Sequence, residues 1–118
     1  MAKQIKTIDY DSDNDIFFIS DGSKVKASLD IGDFVLDVDS NNFICGIEVM
    51  DASENLGISK EILGGIKSMK MSINYKTNNV HVLLIIDFKK GDKVVNMSIP
   101  LTLNLGHKVP RQEVLVYN

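Results

Sequence analysis

Apolar and polar residues alternate with a period of two along most of this chain. The alternation is cleanest where Met69, Met71, Ile73 and Tyr75 are separated by polar residues. Because successive side chains of a β-strand point to opposite faces of its sheet, this pattern predicts half-buried strands. We therefore predict strands at about residues 4–10, 15–20, 24–29, 33–39, 43–50, 68–76, 80–88, 93–105 and 111–117.

Two of these predicted strands depart from plain alternation. The segment from Val80 to Phe88 is almost continuously apolar, which predicts a central strand covered on both faces. The segment 93–105 contains Pro100, which has no backbone N–H to donate to a neighbouring strand. We therefore expect the strand with Pro100 to lie at a sheet edge or to contain a bulge.

The predicted strands are joined by short turns that favour hairpins. Thr77–Asn79, Lys90–Asp92 and Ser40–Asn42 supply glycine, asparagine and aspartate, which tolerate turn conformations. The fold class that follows is mostly β (α+β), with antiparallel meander sheets.

One short helix is predicted between the two halves of the chain. Ser59 is a good N-cap, Glu61 lies in the first turn, and Gly64-Gly65 ends the segment. Ile58 and Leu63 have the spacing of a hydrophobic staple. So short a helix is stable only when its apolar face packs on a sheet.

The segment Thr7–Ile19 recurs as Ser72–Leu84 with the same apolar and polar skeleton. Tyr10 is matched by Tyr75, and a gapless alignment of residues 4–53 with 69–118 has seven identities. Two pseudo-repeated β units would explain this echo. Any two segments of period two also align in phase, so coincidence of pattern remains the other explanation.

Length and charge bound the domain organisation. A chain of 118 residues suits a single domain spanning 1–118. Residues 1–57 carry a net charge of −8 and residues 58–118 one of +5. We divide the domain into an acidic half (1–57), a connector (58–66) and a basic half (67–118).

The apolar segments and the cysteine count indicate the compartment. The run Val82–Ile86 is too short to span a bilayer, and Lys3 and Lys6 are not followed by the apolar segment of a signal peptide. We therefore expect a cytoplasmic protein without membrane contact. Cys45 is the single cysteine, so no intrachain disulfide forms, and a small buried thiol is expected.

Aspartate occupies every second position at Asp9, Asp11, Asp13 and Asp15. Converging carboxylates are typical of calcium sites. An EF-hand loop starting at Asp9 needs glycine and glutamate where this chain has Asn14 and Ser20. We therefore interpret the run as a turn, which aspartate and asparagine favour.

A second group of carboxylates comprises Asp37, Asp39 and Glu48, which would lie on neighbouring strands. Such a group suits a divalent ion or general acid/base work. Exposed charges opposite a buried sheet face are the ordinary alternative.

Asp51-Ala52-Ser53 is interpreted as the exit of a strand into a helical or turn segment, capped by Asp51 or Ser53.

The remaining chemically capable residues fit no catalytic motif. We expect His81 to be packed within an apolar strand and His107 to be solvated in a turn. No GxSxG, HExxH or phosphate-loop pattern occurs. The lysines of the second half suggest nucleic acid, but Arg111 is the single arginine and aromatic residues are few, which argues against that partner. No catalytic, cofactor-binding or metal-binding residue is assigned.

Four segments in the first half carry a resemblance to a known family. They are Tyr10-Asp11, Asp15–Ile19, Gly32–Asp39 and Gly46–Ser53. In this order and spacing they resemble a family of short prokaryotic domains of unknown function, numbered 2283. The resemblance implies a small β-rich domain without an established activity, often encoded beside small toxin-like partners. Residues 66–118 are not part of that pattern.

These observations predict a non-enzymatic protein–protein interaction module. It would bind a protein partner, as an antitoxin does, or associate with itself through β edges as a dimer. The alternative is a small divalent-metal-binding protein or metal-dependent enzyme, with its ligands among Asp11, Asp13, Asp15, Asp37 and Asp39.

Overall fold

The fold is taken from a computed structural model, which describes residues 3–105 and 116–117. Strands dominate these residues and confirm the mostly β class. In chain order the elements are β1 (Lys3–Gln4), β2 (Thr7–Asp11), β3 (Ile16–Ser20), β4 (Ala27–Ile31), β5 (Phe34–Val38), β6 (Ile44–Val49), α1 (Ala52–Leu56), α2 (Lys60–Gly64), β7 (Ile66–Tyr75), β8 (Asn79–Lys90), β9 (Lys93–Asn104) and β10 (Val116–Tyr117).

Five antiparallel strands of the first half form one sheet, which we call the N-terminal sheet. Its strand order is β2-β3-β6-β5-β4. Two runs of consecutive neighbours, β2–β3 and β4–β5–β6, follow the predicted meander. The last strand of the second run returns beside β3, where Phe17 is opposite Val49.

The second sheet, which we call the C-terminal sheet, has the order β1-β7-β8-β9, with β10 also pairing with β7. Strands β8 and β9 have 12 residues each, a length of about 40 Å. Gly91 and Asp92 join them in a two-residue turn, in which Gly91 has φ 63°. Among the described strands β9 is at the end of the sheet, so the edge expected from Pro100 is confirmed.

The two sheets share a single apolar core. Residues buried on both sheets belong to one cluster, which includes Leu36 and Ile47 from the first and Met71 and Ile86 from the second. The halves of opposite charge are therefore joined through apolar faces. Tyr75 adds a polar contact within this core, because its hydroxyl accepts a hydrogen bond from the backbone N–H of Ile44 at 2.7 Å.

The connector contains the predicted helix. Helix α2 begins after Ser59, whose hydroxyl accepts from the backbone N–H of Ile62, and ends at Gly65. Ile58 and Leu63 are buried, as expected for a staple. A second helix, α1, occupies the segment after Asp51 that was interpreted as a helical or turn exit.

The prediction that β8 is covered on both faces is wrong. Buried and more exposed side chains alternate along it, and Leu83 is 36% exposed. The apolar run therefore does not mark a doubly covered strand, because the side chains on the outer face of β8 are half-buried or exposed. The predicted burial of His81 is wrong for the same reason, because it lies on that outer face.

The sequence echo corresponds to two hairpins, β2–β3 and β7–β8. Tyr10 and Tyr75 occupy matching places near the end of the first strand of each. Beyond the hairpins the halves differ, because the residues aligned with β4 and β5 fall within the single strand β9 and, at Asp92, in the turn before it. Of the strand predicted at 111–117, Val116–Tyr117 is a strand, and the rest lies outside the described residues. No helix in the described part of the chain has the length and apolarity to cross a membrane.

Candidate functional site

Three side chains from separate parts of the first half meet in one hydrogen-bonded cluster. The hydroxyl of Tyr10 donates to Oδ1 of Asp15 at 2.6 Å. The hydroxyl of Ser53 donates to Oδ2 of Asp15 at 2.6 Å, and its backbone N–H lies 3.1 and 3.2 Å from the two carboxylate oxygens. Asp15 thus accepts from donors on β2 and on the first turn of α1.

Asp15 accepts hydrogen bonds from the backbone N–H groups at the start of α1. Asp51 occupies the N-cap position in the left-handed region (φ 47°), and its side chain makes no capping bond. The backbone carbonyl of Asp15 instead accepts from the N–H of Ala52 at 2.9 Å, and its carboxylate accepts from the N–H of Ser53. Because the first N–H groups of a helix have no partner inside it, Asp15 caps α1 from a distant turn.

The cluster has the electrostatics of a structural contact. The hydrogen bonds from Ser53, and then from Tyr10, lower the pKa of Asp15, with a smaller contribution from Lys60. Partial burial, followed by the hydrogen bond to Asp15, raises the pKa of Tyr10 to about 12. At neutral pH the carboxylate is ionised and the phenol is protonated, so neither group is poised to exchange a proton.

The aspartate run before this cluster forms the predicted turn. One carboxylate oxygen of Asp11 accepts from the backbone N–H groups of Asp13 and Asn14, and the other accepts from the Asn14 side chain at 2.8 Å. These bonds lower the pKa of Asp11, with the Asn14 side chain as the largest cause.

The second carboxylate group is not assembled into one site. Asp37 accepts from the hydroxyl of Ser28 at 2.7 Å. Asp39 lies beyond the end of β5, where it accepts from the backbone N–H groups of Asn41 and Phe43. Within residues 3–105, no three histidine, cysteine, aspartate or glutamate side chains are grouped to hold a metal ion.

Glu48 belongs to a row that crosses the whole N-terminal sheet on its outer face. Paired residues place an acid and an apolar side chain in alternation along this row, in the order Asp9, Phe18, Glu48, Val35 and Asp30. The apolar members are half-buried. Between neighbouring acids of the row lies one strand that contributes an apolar residue, and this separation limits the repulsion between the like charges.

The other chemically capable residues are not joined to the cluster. His81 lies across from Thr102, with 3.3 Å between Nδ1 and the threonine Oγ1. Cys45 is fully buried at the bulge between β5 and β6, as expected for a small buried thiol. His107 lies outside the described residues.

Lys89, Lys90 and Lys93 lie at the tip of the β8–β9 hairpin. Lys89 and Lys90 line a cleft of about 340 Å³ between this tip and α2, with Ile62, Phe88 and Val95 as apolar lining. Glu61 also lines the cleft, so its charge is mixed.

The open edge of β9 is the longest backbone surface in the described chain that no strand covers. Lys90 and Lys93 close the two-residue turn and form a hydrogen-bonded pair in such a hairpin. At the other end of the strand, the N–H of Leu105 donates to the carbonyl of Asn78 at 2.8 Å. Because such pairs alternate along an antiparallel ladder, odd-numbered residues of β9 bond to β8.

The even-numbered residues of β9 therefore direct their N–H and C=O groups to the open edge. Val94, Asn96 and Ser98 offer both groups there. Pro100 is also even, so its missing N–H falls on the open side, where proline is tolerated. Lys93 is the single charged residue in β9, whereas the edge strands β2 and β4 are shorter and each contain aspartate.

The comparisons with known proteins agree with the early resemblance. The model of a family described as protein of unknown function (DUF2283) matches residues 7–53. A Methanosarcina mazei protein whose name reads "Putative hypoxanthine phosphoribosyltransferase" is 32% identical over 92 residues, covering 77% of this chain and 75% of the relative. The chain belongs to the DUF2283 family.

A second relative of this DUF2283 protein matches a shorter stretch. It is an uncharacterized protein of Methanocaldococcus jannaschii, 39% identical over 54 residues, covering 45% of this chain and 47% of the relative. The chain thus spans three quarters of the first relative and about half of the second. No solved structure matches the chain.

The hydrogen-bonded contact between Asp15 and Ser53, which we call the clasp, was not predicted from the sequence. Tyr10, Asp15 and Asp51–Ser53 were among the residues that carried the family resemblance. Their place in one family pattern could have indicated that these residues act together. The contact joins residues 38 positions apart, however, and a sequence pattern does not show such a contact. In this DUF2283 chain the motif residues serve the fold, because they tie the first hairpin to α1.

Proposed function

We propose that this DUF2283 protein is a non-enzymatic interaction module that binds its partner by strand addition along the open edge of β9. The observation that carries the proposal is the pattern of this edge. Val94, Asn96 and Ser98 present backbone donors and acceptors to solvent, and the single charge of the strand is at its first residue. Proteins usually protect such edges with charges or proline, and the stretch between Lys93 and Pro100 contains neither, so it is a ready template for a partner strand.

The side chains of β9 support the same conclusion. Residues that face the core from β8 are buried, whereas Val95, Met97 and Leu101, which face the core from β9, are half-buried. Val94, on the outer face, is 63% exposed. A strand added beside β9 would cover apolar surface on both faces in addition to forming backbone hydrogen bonds.

The non-enzymatic part of the proposal rests on the state of the reactive groups. The Asp15 carboxylate is engaged by Tyr10 and Ser53, the Asp11 carboxylate is engaged by its own turn, and Cys45 is inaccessible. The name of the Methanosarcina relative gives a direct check. The purified chain should not transfer a phosphoribosyl group to hypoxanthine, and formation of the nucleotide product would overturn the non-enzymatic assignment.

Strand addition is tested by a substitution that alters the open side of β9 alone. Ser98→Pro removes an edge N–H and leaves the bonds from β9 to β8 in place, as Pro100 does two residues later. Ser98→Ala is the matched control, because it removes the side chain and keeps the N–H. Circular dichroism and the melting temperature verify that both variants fold.

The proteins are immobilised and used to capture partners from an extract of the cells to which the chain is native, with mass spectrometry to identify what is bound. We expect the unmodified protein and Ser98→Ala to capture the same partner and Ser98→Pro to lose it. Equal capture by all three would overturn strand addition at β9. The antitoxin-type role implied by the family resemblance corresponds to a captured toxin-like protein.

A further inference from the structure

The part of the β9 edge that accepts a strand is limited by Pro100. In a proline the ring replaces the amide hydrogen, so a strand opposite Pro100 meets carbon where it needs a donor. The segment of β9 before Pro100 can still accept a strand. It contains Val94, Asn96 and Ser98, whose backbone N–H and C=O groups point to the open edge. On the other side, Thr102 is close to the end of the strand.

We infer that the occupant of this segment is a second copy of the chain, paired antiparallel with β9 about a two-fold axis at Asn96; the inference rests on the strand addition proposed above. This arrangement places Val94 of each copy opposite Ser98 of the other and Asn96 opposite Asn96. The three residues whose backbone groups point to the open edge then pair in both copies, forming about six backbone hydrogen bonds. Moving the axis toward the turn shortens the pairing, and moving it the other way brings Pro100 into the ladder.

The side chains of the segment are compatible with this symmetry. Residues of β9 whose side chains face the core lie opposite core-facing residues of the second copy, because side chains alternate between the two faces of a β-strand. Val95 lies opposite Met97 of the second copy, and both are half-buried in the single chain. Lys93 lies opposite Ile99, so the charged residues do not face each other. A two-fold contact uses the same surface on both copies, which a self-complementary strand supplies.

The register is tested by cysteine crosslinking. Residues in a hydrogen-bonded antiparallel pair have Cα atoms about 5.5 Å apart, within the range that a disulfide spans. Under mild oxidation Asn96→Cys should therefore give a disulfide-linked dimer. Thr102→Cys is the matched control, because it is exposed on the same face of the same strand and does not meet its own symmetry mate. Cys45 does not interfere, because it is fully buried.

We expect crosslinking of Asn96→Cys to exceed that of Thr102→Cys at least tenfold at equal concentration. Equal crosslinking of the two variants would overturn the inferred register. Light scattering on the unmodified protein over a concentration series should show a dimer at low and high salt, because backbone pairing and apolar contact are insensitive to salt. Dimers that dissociate in high salt would contradict this mode of pairing.

The Ser98 variants separate failure of this inference from failure of the proposed function. Ser98→Pro should be monomeric at concentrations where Ser98→Ala is dimeric. A purified protein that stays monomeric while Ser98→Pro still abolishes partner capture would overturn the two-fold dimer and leave strand addition intact. Dimerisation and capture that are both unaffected by Ser98→Pro would overturn both.

Discussion

Ser53 donates its backbone N–H and its hydroxyl to the carboxylate of Asp15, a residue 38 positions earlier in the chain. This contact replaces the side-chain cap that Asp51 does not make. It ties the turn between β2 and β3 to the first turn of α1. The first helix of the domain is therefore started by a residue from another hairpin.

Ser53→Ala should destabilise the protein moderately. The substitution removes the hydroxyl donor and retains the backbone N–H that Asp15 also accepts. We expect the free energy of unfolding to fall by about 1 kcal/mol, the usual effect of one such hydrogen bond. Urea denaturation followed by circular dichroism measures it. Ser12→Ala, in the exposed turn, should leave the midpoint unchanged, and equal midpoints for both variants would contradict a stabilising clasp.

The clasp should also make stability depend on acid. The pKa of Asp15 lies below its ordinary value of 3.8 in the folded state, chiefly because Ser53 and Tyr10 donate to it. Its contribution is therefore fully present above about pH 4 and is lost as the pH falls through the folded pKa. Asp15→Asn should be less stable than the unmodified protein at pH 7, and the difference should narrow toward pH 2. A difference that is constant with pH would show that the charge of Asp15 is not involved; Asp13→Asn is the control.

Tyr75→Phe should destabilise the core between the two sheets. The Tyr75 hydroxyl accepts from the N–H of Ile44 at 2.7 Å in a buried place, and phenylalanine leaves that N–H without a partner. The free energy of unfolding should fall by about 1–3 kcal/mol. The melting temperature measures the effect, and stability equal to that of the unmodified protein would argue against this bond.

Gly46→Ala should destabilise the N-terminal sheet. A Cβ at Gly46 would lie 3.0 Å from Oδ2 of Asp37 and 3.1 Å from the carbonyl oxygen of Ile19. The carboxylate can shift, but the backbone oxygen belongs to a paired strand, so a loss of about 1–3 kcal/mol is expected. Gly64→Ala is the opposite case, because a Cβ at this helical residue would have no atom within 4 Å apart from those of its chain neighbours and its own helix backbone. It should gain up to about 1 kcal/mol, and the same sign for both substitutions would refute the steric argument.

Divalent cations should not stabilise this protein at a specific site. Asp11 and Asp15 are hydrogen-bonded within the fold, and Asp37 and Asp39 lie in separate hydrogen-bonded settings. Melting temperatures with millimolar Ca²⁺, Mg²⁺ or Mn²⁺ should match those with EDTA. A saturable increase that disappears in Asp13→Asn would instead support the metal-binding alternative, because a ligand of the folded state must raise its stability.

Local chemistry was sufficient to predict several elements of this fold. The N-cap Ser59 and the glycines after Leu63 marked α2 correctly, and Gly91-Asp92 marked the turn between β8 and β9. Pro100 predicted that its strand lies at an edge or contains a bulge, because a missing N–H is a property of the residue itself, and β9 lies at the edge among the described strands. Such signals depend on a few neighbours in the chain.

Contacts between distant residues were not predictable in the same way. The apolar run of β8 suggested cover on two faces, but Leu83 and His81 lie on a face of the strand where they are exposed. The residues of the clasp were visible as members of a family pattern, but the pattern did not say that Asp15 and Ser53 meet.

The sequence by itself determined that this protein is a mostly β, antiparallel domain with one helix at Ser59, because strand period, turn residues and caps act over a few positions. Only the tertiary structure decided that β6 returns beside β3, that Asp15 caps α1, and that the even-numbered residues of β9 point to an open edge. These features depend on which faces and edges the packed sheets cover. That choice is made by burial summed over the whole core, and no local pattern encodes it.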